Sequence, residues 1–267
     1  MSLLFAVSDL QAEIEAFGKI AAELLAPGSV GALRNASDAL TGIAKKGGGR
    51  TRWCIDRSTP VVTVPSVGEY MPDDRGGLTV HGEISFVWEL EPVRPSGDTR
   101  PARHVRLEGL ASTMVRVLSG MPGSAAEGDG VELAVWRMEV ADSAAPGAYF
   151  HVQVLGRDLD TIFPKALDVP RLPGVLNSPF ACMEFVLGEL FQGRWSRLAQ
   201  KDSSAGHRWQ GIQSHRHVRH LAWATKQVTD CSGSPWAAWK AARPDESMYL
   251  PALSMTPENC AFVTVEK

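Results

Sequence analysis

Cysteine is scarce in this 267-residue chain: Cys54, Cys182, Cys231 and Cys260, with no C-x-x-C pair among them. That spacing argues against a structural zinc knuckle and against a small disulfide scaffold, so reduced and mostly buried thiols are expected. No serine sits in a G-x-S-x-G elbow and no cysteine has a histidine close in sequence. A nucleophile would therefore have to be assembled in space. The glycine-rich run Lys45, Lys46, Gly47, Gly48, Gly49, Arg50 lacks the G-x-x-x-x-G-K-[ST] pattern and precedes a strand pattern instead of opening a helix, which fits a connector better than a phosphate cradle. The opening MSLLFAV has no basic leader and is cut short by Ser8 and Asp9. Neither a signal peptide nor a membrane span is expected, and a cytoplasmic location is the corresponding expectation. There is no internal repeat and no low-complexity tail.

What is present is enough for a full core: 44% apolar and 21% charged residues. Leu10, Ile14, Phe17, Ala21 and Leu24 recur at helical spacing, behind a capping-box pair Ser8 and Gln11 and ahead of Pro27 and Gly28. A second helix is expected over 31–45. Strand-like patterns then follow at 50–57, 61–64, 78–91, 104–117, 131–140 and 148–155, the last four forming the principal sheet. Their connections are rich in Pro, Gly, Ser and Asp, as antiparallel loops tend to be. An extended, proline-bearing stretch at 158–177 leads to Ser178 and Pro179, an N-cap and first-turn proline for a helix to about residue 200. Further helices are expected at 209–228 and from Ser234 and Pro235, with a last strand at 261–265. The fold class is α+β: an antiparallel sheet of four to six strands packed against N-terminal and C-terminal helices. Its parts are a helical segment 1–49, a sheet region 50–177 and a helical segment 178–267 with the final strand, together one compact domain.

The seven histidines fall into two groups. His81, His104 and His151 occupy outward positions of alternating strands, opposite inward rows such as Val80, Ile84, Phe86, Trp88 and Leu90. A hairpin closing over 92–101 would pair Glu91 with His104 and Glu89 with Arg106, which separates His81 from His104 by roughly 30 Å. The three imidazoles are therefore not expected to share a proton. The next hairpin would set Glu139 opposite His151 and Arg137 opposite Gln153, complementary pairs worth roughly 0.2–1 kcal/mol each. If chemistry occurs on this face, its carriers are His151 as base, Glu139 as the group orienting it, and Arg137 with Tyr149 as anion-stabilising neighbours.

The other four histidines lie in a basic stretch. Residues 194–243 hold Arg194, Arg197, Lys201, Arg208, Arg216, Arg219, Lys226, Lys240 and Arg243 against Asp202 and Asp230, in a chain whose net charge is -3. Such asymmetry suits an anionic partner or an acidic lobe of the same molecule. His215, His217 and His220 do not share one helical face, and no nearby Cys, Asp or Glu completes a closed zinc set, so no metal is expected. Asp158 and Asp160 alone are ordinary loop acids. Val218, Leu221, Ala222, Thr225 and Val228 mark the expected buried stripe of this helix. Arg216, Arg219, His220, Trp223 and Gln227 would then face outward, with Arg216, Arg219, His220 and Trp223 as the partner- or anion-binding set.

Three functions follow in order. The first is a non-enzymatic binding or assembly subunit engaging a macromolecular partner, a protein or complex before a nucleic acid, through this basic, Trp-containing surface and the polar sheet face. The second is a hydrolase or nuclease-like enzyme acting on a phosphate-containing substrate, and the third a nucleic-acid-binding protein. No cofactor and no membrane partner is expected.

Overall fold

A computed structural model describes residues 2–46, 48–70, 77–94, 97, 99–124, 130–141, 147–155, 171–175 and 177–250. The strand expected at 261–265, the acids Asp158 and Asp160, and Cys260 lie outside the described residues. The architecture is α+β.

Its centre is an antiparallel meander of β5 (Thr79–Val93), β6 (His104–Ser119), β7 (Glu132–Val140) and β8 (Phe150–Leu155). Short strands extend this to nine, more than the four to six expected. The free edge of β5 is lined in turn by β2 (Thr51–Ile55), β3 (Val61–Val62) and β4 (Ser66–Val67). β1 (Leu4–Ala6) pairs with the start of β6, and β9 (Arg171–Pro173), the described part of the extended stretch, pairs with β8. Pieces of two or three residues carry too little alternation to be read from sequence.

The β5–β6 register differs from the expected one by two residues, with Glu91 opposite Arg106 and Val93 opposite His104. β5 continues through Pro92 because β2 already ends its pairing at Leu90, so no strand on that edge calls for the missing N–H. A bulge follows between Trp88 and Leu90. Gly109 occupies it at φ 95°, where a Cβ would come within 2.4 Å of the Glu89 carboxylate.

Helices from both ends of the chain cover the inner face. α1 (Val7–Ile20) packs on α2 (Ser29–Lys45), on α3 (Pro179–Ala199) and on α4 (Ser204–Thr229), while α5 (Pro235–Ala241) lies against α4. The expected capping box at Ser8 and Gln11 does not form. β1 leads straight into α1, the Val7 amide donates to the Arg103 carbonyl at 3.0 Å, and Gln11 donates to Thr41 instead. α3 starts as expected, with the Ser178 hydroxyl accepting from the Ala181 amide and Pro179 in the first turn. It kinks at Gln192, where φ is 32°, and the Leu190 carbonyl accepts from Ser66 Oγ at 2.5 Å.

The core joins Phe86, Trp88 and Leu90 of the sheet to Trp53, Phe17 and Phe180, with Trp53 edge-on to Phe86 at 4.9 Å. Gly82 marks the closest approach of α3, since a Cβ there would lie 3.0 Å from Val186. Of the three described cysteines, Cys182 is buried, and its burial pushes the thiol pKa up; Cys54 is exposed and Cys231 partly so. Among the described residues no helix is long and apolar enough to cross a membrane.

Candidate functional site

The sheet pairs Glu139 with His151 and Arg137 with Gln153, as the alternation predicts. His151 Nε2 lies 3.2 Å from Glu139 Oε2, and its Nδ1 lies 2.9 Å from the Ala148 carbonyl. Arg137 Nε is 3.6 Å from Glu139 Oε1, and its guanidinium donates to the Gln153 amide oxygen. Burial raises the Glu139 carboxyl pKa, but the hydrogen bond from His151, the charge of Arg137 and a bond from Ser112 outweigh it and hold the group below its ordinary value. Both imidazole nitrogens are thereby turned toward protein acceptors, and neither presents a lone pair to an incoming substrate. His151 and Gln153 are buried, so this part of the outward face is charge-paired without being solvated. Tyr149 is also interior, edge-on to Phe150, its hydroxyl pushed up to about 12 by burial against the opposing charge of Arg243.

The strand histidines do not converge. His151 is opposite Glu139, Glu139 opposite Ser112, and Ser112 opposite Val87, six positions from His81. Three strand spacings and six residues amount to roughly 25 Å. His104, opposite Val93, is twelve positions from His81, about 40 Å along the ladder. His81 is buried with Nδ1 2.9 Å from the Gly120 carbonyl.

α4 faces the opposite way from the expectation. Val218 and Leu221 are 66% and 54% exposed, whereas Trp209, Gln213, Arg216, His220 and Ala224 form the buried row. The cause is Glu13 on α1, which has no exposure at all. Its carboxylate accepts from Arg216 Nη1 at 2.6 Å, Gln213 Nε2 at 2.7 Å and Ser178 Oγ at 2.5 Å. The Arg216 guanidinium also lies over the Phe5 ring at 5.5 Å. Turning Val218 and Leu221 inward would gain roughly 1.5–3 kcal/mol each. It would leave Glu13 buried without its counter-charge, at about 3–5 kcal/mol, and strand the other donors as well. The ion pair therefore sets the rotation of the helix.

The expected binding set is divided by this rotation. Arg216 and His220 are interior. His220 stacks near Phe150 at 4.6 Å, and burial, with a smaller contribution from His217, pushes its pKa down to about 4. Trp223 is half-buried against Phe150 and Trp239. Arg219 stays partly exposed and donates to the Met248 carbonyl. No group of three His, Cys, Asp or Glu side chains among the described residues is arranged to hold a metal ion.

What α4 offers to solvent is an apolar stripe. At 100° per residue, Leu221, Ala222, Thr225 and Val228 fall within about 80° of Val218, and all are exposed. Arg208, His215, Arg219 and Lys226 form a basic column about 60–100° to one side of it.

Sequence reasoning missed Glu13, although the signal was there: a carboxylate three residues from Leu10 on an apolar helical face. It also missed Glu184. This residue lines a cavity of about 710 Å³ between α3 and α4, together with Trp209, Gln213 and His217. Trp209 Nε1 donates to Glu184 Oε1 at 3.0 Å. A second, apolar groove of about 450 Å³ runs along Trp136, Val152, Val154 and Phe185.

No protein-family model matches this chain, and neither does any curated protein or solved structure.

Proposed function

We propose that the chain is a non-enzymatic binding or assembly subunit that docks a helix of a partner protein along the outer face of α4. The observation that carries this reading is the exposed stripe of Val218, Leu221, Ala222, Thr225 and Val228. Its i, i+3, i+4, i+7 spacing is that of a helix seam, and a contiguous apolar patch of this kind marks an interaction surface. The cations Arg219 and Lys226 beside it select the partner's chemistry, Arg208 of the same column being paired with Glu15 at 3.4 Å. A helix with its own apolar seam and an acidic flank would bury the stripe and pair the column. The polar sheet face has no comparable role in this reading, because His151, Glu139 and Arg137 are engaged with one another and with Gln153.

The test is site-specific photo-crosslinking from a photoreactive residue in place of Thr225, in extract of the native host, with a Leu221→Asp chain in parallel. The expected product is a crosslink to a partner helix with an apolar seam and acidic flank, lost in Leu221→Asp. A crosslink to a second copy of the chain, or none sensitive to Leu221→Asp, overturns the reading. Salt-dependent retention on a polyanion column that disappears in an Arg219→Ala, Lys226→Ala double variant would transfer it to nucleic acid.

A further inference from the structure

The cavity between α3 and α4 is lined by the acceptors Glu184, Asp202 and His217 and by one cation, Lys201. Glu184 has one carboxylate oxygen held by the Trp209 indole, and its Oε2 has no hydrogen-bond partner among the described residues. His217 lines the cavity as well, and burial, the largest influence on it, pushes its pKa below the ordinary imidazole value, so the neutral ring keeps one nitrogen as an acceptor. Gln213, 5% exposed, forms the inner wall, with its amide nitrogen committed to Glu13 and its Oε1 buried out of reach of the open space. The last residues of α3, Ala199 and Gln200, also line the space, bringing the negative end of that helix to it. The opposing positive end of α4 is capped by the Ser203 hydroxyl, which accepts from the Gly206 amide. A carboxylate desolvated by burial, an imidazole beside it and Asp202 outweigh the single Lys201 charge and ask for a cationic N–H group.

We infer that this cavity binds a small organic cation rich in N–H donors, of the amine or guanidine type, with its charge against Glu184 and a remaining donor toward His217. The volume, about 710 Å³, exceeds what one such head group fills, so the ligand carries further atoms toward the mouth, where Asp202 and His207 pair at 3.3 Å. Glu184 is the charge-recognising residue. Trp209 positions it, since its indole holds the carboxylate to the wall of the cavity. The site is separate from the exposed stripe of α4 and does not depend on the partner reading.

The experiment uses the full chain with three probes: butylguanidine, its neutral isostere butylurea, and butylamine, which carries the charge on a smaller head group. Binding is followed by calorimetry and by the Trp209 indole N–H resonance. One or both cations should bind and move that resonance, with butylurea at least about tenfold weaker. The comparison of the two cations tells guanidine from amine. Glu184→Gln keeps an oxygen for Trp209 and removes the charge, and should weaken the cation at least about tenfold. His217→Phe, with Glu184 intact, should weaken it at least about threefold. Thermal unfolding of each variant establishes that it is folded, and should Glu184→Gln not fold, His217→Phe decides. Absence of cation binding at about 10 mM, equal binding of butylurea, or a folded Glu184→Gln chain with unchanged affinity overturns the inference.

Discussion

A carboxylate taken entirely out of water is tolerated only when charge and hydrogen bonds replace what water supplied. Glu13 meets that condition through Arg216, Gln213 and Ser178. Truncating one side of the pair should cost far more than removing both. Arg216→Met alone is expected to lose about 3–5 kcal/mol in urea denaturation, and Glu13→Leu combined with Arg216→Met should recover most of it. His220 supplies a pH dependence. Its folded pKa is depressed from 6.5 to about 4, so between those values the unfolded chain takes up a proton that the folded chain refuses. Stability is therefore lost as pH falls from 6.5 toward 4, by up to about 3 kcal/mol from this residue. His215 and His217 are depressed in the same direction and add to the slope. Urea denaturation at pH 7 and pH 4.5 should show a smaller difference for His220→Gln than for the parent chain. An equal difference would mean that His220 is not held neutral in the interior.

At the scale of elements, the start of α3 is tied twice by one hydroxyl, which accepts from the Ala181 amide and donates to Glu13. Ser178→Ala should thus cost more than the ~1 kcal/mol of an ordinary N-cap, about 2–4 kcal/mol in denaturant titration. A loss near 1 kcal/mol would leave the cap and remove the tie to α1 from the account. Strands and helices also differ in how much of them the sequence discloses. The β7–β8 register was legible because alternation of period two is local and the polar pairs Glu139 with His151 and Arg137 with Gln153 reinforce it. The β5–β6 register lies two residues from the expected one because a proline predicts a strand end, whereas the edge beyond Leu90 leaves it room. α3 declared itself through Ser178 and Pro179. α4 misled because its apolar residues do fall on one stripe, and nothing within the helix says that this stripe faces out. The residue that decides, Glu13, lies 203 positions from Arg216 in the chain.

For the whole molecule, three layers follow from this. The sheet turns its apolar face to α2 and α3, α1 is enclosed among its neighbours, and α4 closes over the buried carboxylate with its polar side inward. The α+β class and the antiparallel sheet could be read from periodicity. The candidate sites could not, since both the exposed seam and the acceptor-lined cavity are consequences of how α4 is rotated. With the opposite rotation, Gln213 and His217 would leave the cavity wall and Val218 and Leu221 would join the core.

That rotation is tested most directly by comparing Leu221→Asp with Arg216→Met in equilibrium urea denaturation under identical conditions. The account predicts Leu221→Asp within about 0.5 kcal/mol of the parent chain, as for a side chain in solvent, and a loss of about 3–5 kcal/mol for Arg216→Met. A Leu221→Asp chain that is severely destabilised beside an Arg216→Met chain that is not would contradict it.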